Sequence, residues 1–506
     1  MSMDMTRPDP IYRQLACEFS SVIQRGQLKP GERLPSVRRL AIQRHVSIST
    51  ALQTLRTLEN SGLIEARPQS GYFVRCPSRR LEEPETSRPP RKPAYVGISG
   101  MVAGVREAAN NPNIVAFGTA SPAPDLFPAS RLQRSLTSVT RRKPMLLTTY
   151  GFSSGNAAFR HEIAKRYLNL GVNIDEREFV VTHGCTEAIG LALRAVTKPG
   201  DTIALESPTF YGTLQTIESL GLKVIEIPTH PREGISLDAL EVVICHHDIK
   251  AVVVMANIAN PLGSIMPDER KKRLVEMAEG SGIPLIEDDI YGDLPFDGPR
   301  PLPLKAFERD GGVMLCSSFT KTLAAGLRVG WIAPGKEIAK IEILKFINTL
   351  TTPEVPQLAL AAYLAEGGYD HHLRRIRRTF ANQVRQMQDA VTAYFPEGTR
   401  VTRPLGGFVI WAELPGDVDT MKLFDEAITA GVSFAPGRIF SASDRYSTCM
   451  RLSCGYPWSP LREQAIVKLG QLVKNDVKLR TVQMRKRSGS TSLAPPAISF
   501  DRFAPR

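Results

Sequence analysis

The 506-residue chain has no apolar run of 18 residues or more, which excludes an ordinary transmembrane helix. Its opening residues, MSMDMTRPDPIYRQ, lack the apolar stretch that a secretory signal needs. Cysteine is sparse: Cys17, Cys76, Cys185, Cys245, Cys316, Cys449 and Cys454 form no C-x-x-C pair. An odd, scattered set speaks against a disulfide frame and against a zinc site, and no metal is expected. Reduced thiols and the missing leader lead to the expectation of a cytoplasmic protein with no membrane partner. No internal repeat is present. Charge does not lean acidic either: 64 Lys and Arg against 51 Asp and Glu give a net charge of +13, which suits a polyanionic partner without requiring one. What is there is ordinary for a soluble globular protein, with 42% hydrophobic and 23% charged residues. The length has room for roughly three domains.

Four stretches differ in character. Residues 1–75 carry helical periodicity and end in a glycine-turned hairpin. Residues 76–112 begin with CPSRRLEEPETSRPPRKP, rich in proline and charge, and read as a linker that cannot bury enough surface to fold alone. From 113 to 478 apolar runs alternate with amphipathic segments, the pattern of an α/β fold. The strand candidates are FVVTHG, TIALES, KVIEIP, AVVVMAN, PLIEDD and GVMLCSS. Residues 479–506 are basic and then Ser/Pro-rich, and read as a disordered tail.

In the first stretch Ile11, Leu15, Phe19, Val22 and Ile23 share a helical face, with Gly26 as the stop. Ser36 is placed to cap a short second helix that turns Val37, Leu40 and Ala41 inward. Ser47 or Ser49 can cap a third, with Ala51, Leu52, Leu55 and Leu58 as its buried stripe. The short strands LIEAR and YFV come next, around PQSG. Three helices and a hairpin in this order predict an α+β winged helix-turn-helix, whose third helix enters the major groove of double-stranded DNA. The segments LKPGERLPSVRRLA and VSISTALQTLRTLENSGLIEARPQSGYFV resemble the GntR-type winged head. By that resemblance Arg38, the helix start at Ser47, Ser49 and Thr50, and the wing at Gly71 meet DNA. Arg38 carries a fork suited to a phosphate or a guanine edge. Ile48 stands where many members have arginine, so the preferred sequence stays open. Local charge adds a little, with eleven Lys and Arg against six Asp and Glu over residues 1–75. A small helical docking module with solvated arginines is the alternative.

The segment SSFTKTLAAGLRVGW, residues 317–331, sets one lysine, Lys321, after an apolar strand. A desolvated lysine amine is the nucleophile that forms a Schiff base with an aldehyde cofactor. A lone lysine is more often a solvated loop residue, but this one has company. In VVTHGCTEAIGLAL a strand, a glycine turn and a helix start expose the N–H groups of Gly184, Cys185 and Thr186 as an anion site. Phe210 in ALESPTFYG can stack on a pyridine ring. Asn260 in ANIANPLG can donate to a phenolate oxygen. Asp288 in PLIEDDIYGDL can hold a pyridine nitrogen protonated, and Tyr291 lies three residues on. Ser318 and Arg328 flank Lys321 as phosphate ligands.

This ordered set resembles the fold-type I, pyridoxal 5'-phosphate-dependent aminotransferases over residues 113–478. The resemblance implies an α/β transferase fold with a large and a small domain. It assigns Lys321 to the Schiff base, Asp288 to the ring nitrogen, Asn260 and Tyr291 to the phenolate oxygen, and Phe210 to stacking. Gly184, Cys185, Thr186, Ser318 and Arg328 fall to the phosphate. Tyr150 matches the tyrosine that reaches a neighbouring subunit's phosphate, which implies a homodimer. Arg451 in MRLSCGY matches the arginine for a substrate carboxylate, and Gly118 in FGTASPAPDLFP a substrate-loop glycine. Cys185 and Leu262 depart from the commoner serine or alanine and threonine. Each residue also has a bland reading: Asp288 in a surface acidic trio from Glu287 to Asp289, Tyr150 and Phe210 in the core, Arg451 on the surface.

Head and body together resemble the MocR regulators. That implies a dimeric, pyridoxal phosphate-dependent transcription factor that senses an amine or amino acid effector. A catalytically active aminotransferase is the alternative, with Lys321 as acid and base. A nonspecific nucleic-acid binder that uses the basic tail is a third.

Overall fold

The computed structural model describes residues 10–489 apart from 26, 30, 68–69, 76–80, 91 and 152–153. The expected helix stop at Gly26 and the tail beyond 489 lie outside the described residues. The chain divides into two compact units, Met1–Arg80 and Leu81–Arg506.

In the first unit, helices Ile11–Gln24, Val37–Gln43 and Ile48–Asn60 precede the antiparallel strands Ile64–Arg67 and Gly71–Val74. The Ser36 hydroxyl accepts from Arg39 N at 3.3 Å and the Ser47 hydroxyl from Thr50 N at 3.1 Å, so each hydroxyl spends itself on an otherwise orphaned N–H. Of the two cap candidates for the third helix, Ser47 is the one used. Ala16, Phe19, Leu40, Leu55, Leu58 and Ile64 close one small core. The third helix differs from expectation at one place. Leu52 is only half-buried, and Thr54 is fully buried instead. Its hydroxyl donates to Thr50 O at 2.9 Å, which lets a polar side chain sit in the stripe.

The second unit is built on a nine-stranded sheet. Edge to edge it runs Ala94–Tyr95, Lys223–His230, Thr202–Ser207, Ile249–Val254, Leu285–Asp288, Val313–Ser318, Gly330–Ala333 and Val180–Thr182, with Gly234–Ile235 attached beside Lys223–His230. The five strands from Lys223–His230 to Val313–Ser318 are parallel to one another. Gly330–Ala333, inside RVGWIA, is a strand that alternation does not announce: all four residues are buried, so it shows no polar face. A second sheet, antiparallel, joins Arg400–Val401, Val409–Glu413, Cys449–Ser453 and Ala435–Pro436.

Two expectations about the flanks need correction. The stretch taken as linker belongs largely to the second unit from residue 81 onward. Ala94–Tyr95 pairs with Lys223–Val224, and helix Ser99–Asn110 buries Val102, Val105 and Ala108. Ahead of them, Thr229 N donates to the Ser87 hydroxyl at 2.8 Å, and Arg403 N to Glu83 at 3.1 Å. A proline-rich segment cannot form a core of its own, yet it can be laid along a neighbour that supplies the partners. The last helix, Pro460–Gly489, runs past the expected boundary at 478. It is anchored by buried Ala465, Ile466, Leu469 and Val473, and QMRKR, made of good helix formers, continues the turns.

Candidate functional site

The site forms where the parallel strands end, the usual place for ligands in such sheets. Thr182 closes its strand, Gly184 takes φ +84°, and helix Cys185–Val196 begins at once. A Cβ on Gly184 would stand 2.6 Å from a terminal nitrogen of Arg328, so only glycine lets that guanidinium lie against the turn. Arg328 donates to His183 O and to the Thr320 hydroxyl, both at 3.2 Å. Thr186 is exposed at the helix N-terminus, and Ser318 ends its own strand. Backbone N–H groups, a guanidinium and hydroxyls thus gather at one corner, which is the donor set a phosphate needs.

The rest lines a single cleft with Cys185, Thr186, Phe210, Asn260, Asp288, Tyr291 and Lys321 around it. Lys321 Nζ donates to Ala120 O at 2.7 Å. Lost hydration, and after it the charges of Arg451 and Arg328, brings its pKa down to about 8. Asp288 is buried rather than part of a surface acidic trio; its Oδ1 accepts from Cys185 Sγ at 3.2 Å and from Ile290 N at 3.2 Å. Burial lifts its pKa to about 6, so near neutrality it is still mostly a carboxylate. Glu287 and Asp289 are buried as well, each with its own partners: Glu287 takes Leu304 N at 2.8 Å, and Asp289 takes Asn257 Nδ2 at 3.0 Å and Arg300. Phe210 keeps its ring where Gly212 leaves room, since a Cβ there would stand 2.5 Å from it. Burial raises the Tyr291 phenol above its ordinary range.

Arg451, half-expected on the surface by its bland reading, is fully buried. It donates to Asn260 Oδ1 at 3.1 Å and to Gly118 O, while its Nε has no partner among the described residues. The rings of Phe440 and Tyr211 flank it at 5.1 and 5.4 Å. Asn260 accepts from Arg451 through its oxygen, and its side chain also hydrogen-bonds the Tyr291 hydroxyl. Gly118 is also sterically required, as a Cβ would meet Phe434 O at 2.9 Å. Tyr150 joins nothing here: it is 87% exposed.

Sequence reasoning missed the supports. Glu187 accepts from His183 N at 2.6 Å and from Lys345 Nζ at 2.9 Å, and so fixes the glycine turn from behind. Glu226 accepts from the hydroxyls of Ser207, at 2.9 Å, and Ser441, at 3.0 Å, and so ties a sheet strand to a loop some 200 residues on. Glu206, buried in TIALES, accepts from Met255 N at 3.1 Å and is pushed up to about 8 by burial. A charge inside an apolar strand was the one signal that could have found it.

In the first unit, Arg38, Ser47 and Ser49 are exposed and Thr50 half-exposed. Ser47 Oγ lies 2.7 Å from Ser49 Oγ and 2.8 Å from Thr50 Oγ1, a linked row of hydroxyls at the start of the third helix. Ile48 on the same helix and Ile42 on the second are 59% and 74% exposed. Gly71, at φ +102°, opens the second strand of the wing next to the Arg33 guanidinium.

Comparison with known proteins agrees with both halves. Residues 11–74 match the gntR family of bacterial regulatory proteins, and residues 130–463 match aminotransferase class I and II. Two Escherichia coli K12 relatives, the uncharacterized HTH-type transcriptional regulators YdcR and YjiR, are each 38% identical. YdcR covers 92% of this chain and 99% of its own length, YjiR 91% and 98%. Among solved structures, LysN, the α-aminoadipate aminotransferase of Thermus thermophilus complexed with N-(5'-phosphopyridoxyl)-L-leucine, superposes with a TM-score of 0.69 at 29% identity. It covers 74% of this chain and 95% of its own. With a GntR-type head, an aminotransferase class I and II body, and whole-length relatives among the HTH-type regulators, the chain belongs to the MocR-type family of transcriptional regulators.

Proposed function

We propose that the chain is a transcriptional regulator whose winged head binds double-stranded DNA and whose body holds pyridoxal phosphate and senses an amine or amino acid. The observation that carries the sensing half is Arg451, a buried guanidinium with an unpartnered Nε, lining up with Asn260 beside the cleft of Lys321. A buried donor kept free is costly unless a ligand takes it, and an α-carboxylate is the matching anion. The residues present fit the cofactor: the glycine turn with Arg328 suits its phosphate, Asp288 its ring nitrogen, Asn260 and Tyr291 its phenolate. When bound, pyridoxal phosphate supplies an aldehyde that an amine can take and a ring that accepts electrons. Lys321, with its lowered pKa, offers a neutral amine at mildly alkaline pH. Asp288 holds a proton on the ring side, and Arg451 orients an incoming carboxylate. An effector amine competes with the Lys321 amine, and that competition biases the body between two states.

A homodimer is part of the proposal. Helix Ile338–Thr349 buries Ile341 yet leaves Ile343, Phe346 and Ile347 more than half exposed, and Met145, Leu147 and Tyr150 are exposed as well. Apolar surface of this kind suits a second copy. Retained Lys321, Asp288 and Arg451 also suit turnover. The enzyme reading predicts ketone product in excess of protein, whereas the sensor reading predicts none. Linkage gives the direct test: if an amino acid changes DNA affinity by some factor, DNA must change amino acid affinity by the same factor. Two independent titrations on the cofactor-loaded protein measure both, and absence of any mutual effect refutes the sensing claim.

A further inference from the structure

Next to the cofactor cleft, and sharing Ile290 with it, lies a cavity of about 170 Å³. Its wall includes Ser317 and Ser318, yet none of the residues assigned above to the effector reaches it. Three arginines and three aspartates surround it, and their bonding is uneven. Asp293 accepts from Arg300 Nε at 2.8 Å through one oxygen and from the Tyr369 hydroxyl at 2.8 Å through the other. Asp289 is taken by Asn257 and Arg300, and Asp370 by Arg166 at 3.1 Å. Both oxygens of the Asp289 and Asp293 carboxylates are therefore spent inside the cluster, while Asp370 is exposed. Donors are left over. Arg377, half-exposed, donates through Nε to Asp293 O at 2.7 Å, and its terminal nitrogens have no protein partner among the described residues. Tyr167, 3% exposed, accepts from Trp331 Nε1 at 3.3 Å, and its own proton has no acceptor there. The same lining includes apolar Ile163, Leu170 and Leu373.

Unspent donors, hydrocarbon in the same lining and a volume near that of a cavity able to hold benzene suit a small ligand with one anionic end and one apolar end. We propose that this cavity binds a short monocarboxylate, with its carboxylate on Arg377 and Tyr167 and its tail against Ile163, Leu170 and Leu373. The site borders the cofactor cleft through Ser318 and Ile290 and does not use Lys321.

Trp331 lines the cavity and reports on it. The full chain is titrated with sodium isovalerate, following tryptophan fluorescence and the melting temperature, beside isovaleramide and sodium chloride at matched ionic strength. Isovalerate is expected to give a saturable change and a higher melting temperature, while the amide and chloride do not. Tyr167→Phe, which removes one hydroxyl, and Arg377→Leu are each expected to weaken binding at least tenfold. Arg451→Met, which removes the guanidinium proposed for the effector carboxylate, is expected to bind isovalerate as the parent does, which separates this proposal from the sensing one. The proposal is overturned by any of three results: no saturable response in the parent chain, an amide or chloride response equal to that of isovalerate, or unchanged binding in both cavity variants.

Discussion

Replacing Arg451 by methionine removes the cation and keeps most of the volume between Tyr211 and Phe440. In the parent chain the guanidinium is fully buried, so a carboxylate brought to it meets little competition from water. Two unit charges about 4 Å apart at an effective dielectric constant near 20 attract by roughly 4 kcal/mol. Desolvation of the incoming carboxylate takes back part of this, so a loss of about 2–4 kcal/mol is the working figure. At 1.4 kcal/mol per decade that is a roughly 30- to 700-fold weaker dissociation constant. The loss must be selective. An amino acid should lose this much, while the matching amine without the carboxylate should lose almost nothing. A second readout is independent of the effector: Arg451 helps to lower the Lys321 pKa, so Arg451→Met should raise it. The assay is a spectral titration of the cofactor-loaded protein with an amino acid and its decarboxylated counterpart, repeated across pH. Equal losses for both ligands would show that Arg451 supports the fold and not a carboxylate.

Other outcomes rest on single contacts. Gly184→Ala meets both the positive φ and the Arg328 guanidinium, and should weaken cofactor retention on dialysis while the head still binds DNA. Asp288 has a folded pKa raised to about 6 from 3.8, so its share of stability is full below 3.8 and is lost as pH rises to 6. Asp288→Asn should therefore stabilise the cofactor-stripped protein at pH 7.5 by at most about 3 kcal/mol, seen as a higher urea midpoint, and abolish cofactor capture; a lower midpoint contradicts this. Capture of the cofactor should quicken about tenfold per pH unit below 8 and level off above it, as neutral Lys321 amine becomes available, with a stopped-flow rate as the measure. Leu55→Ala opens a cavity in the small core of the head at a cost of about 2–5 kcal/mol, and calorimetry should show the head transition fall while the body's stays.

The features legible in the chain itself divide from the rest along a physical line. Strand ends and glycine turns announce themselves, because a buried parallel strand is an apolar run and a short polar loop comes directly after it. Lys321, Asp288, Asn260 and Gly184 were legible for that reason. Glu187 was not, because its role depends on Lys345, which lies on a helix that arrives in sequence only after the whole sheet is built. Glu226 likewise acts on Ser441, more than 200 residues away, and no local periodicity encodes such a pair. The segment after residue 81 misled for the opposite reason: its composition describes what it can do alone, and it is not alone. Thr54 replaced a leucine in the expected stripe because a hydroxyl can return its hydrogen bond to its own helix. Arg451 needed the structure to show that it is buried, since an arginine in a short strand reads the same on either face.

The central claim is that Lys321 links an amine to DNA binding. Fluorescence anisotropy on DNA from upstream of the chain's own coding sequence tests it, with cofactor-loaded protein, cofactor-stripped protein and Lys321→Ala, each with and without a panel of amino acids. At least one amino acid is expected to shift DNA affinity in the loaded protein alone. The same shift in Lys321→Ala, or specific DNA binding that no amino acid alters, would contradict it.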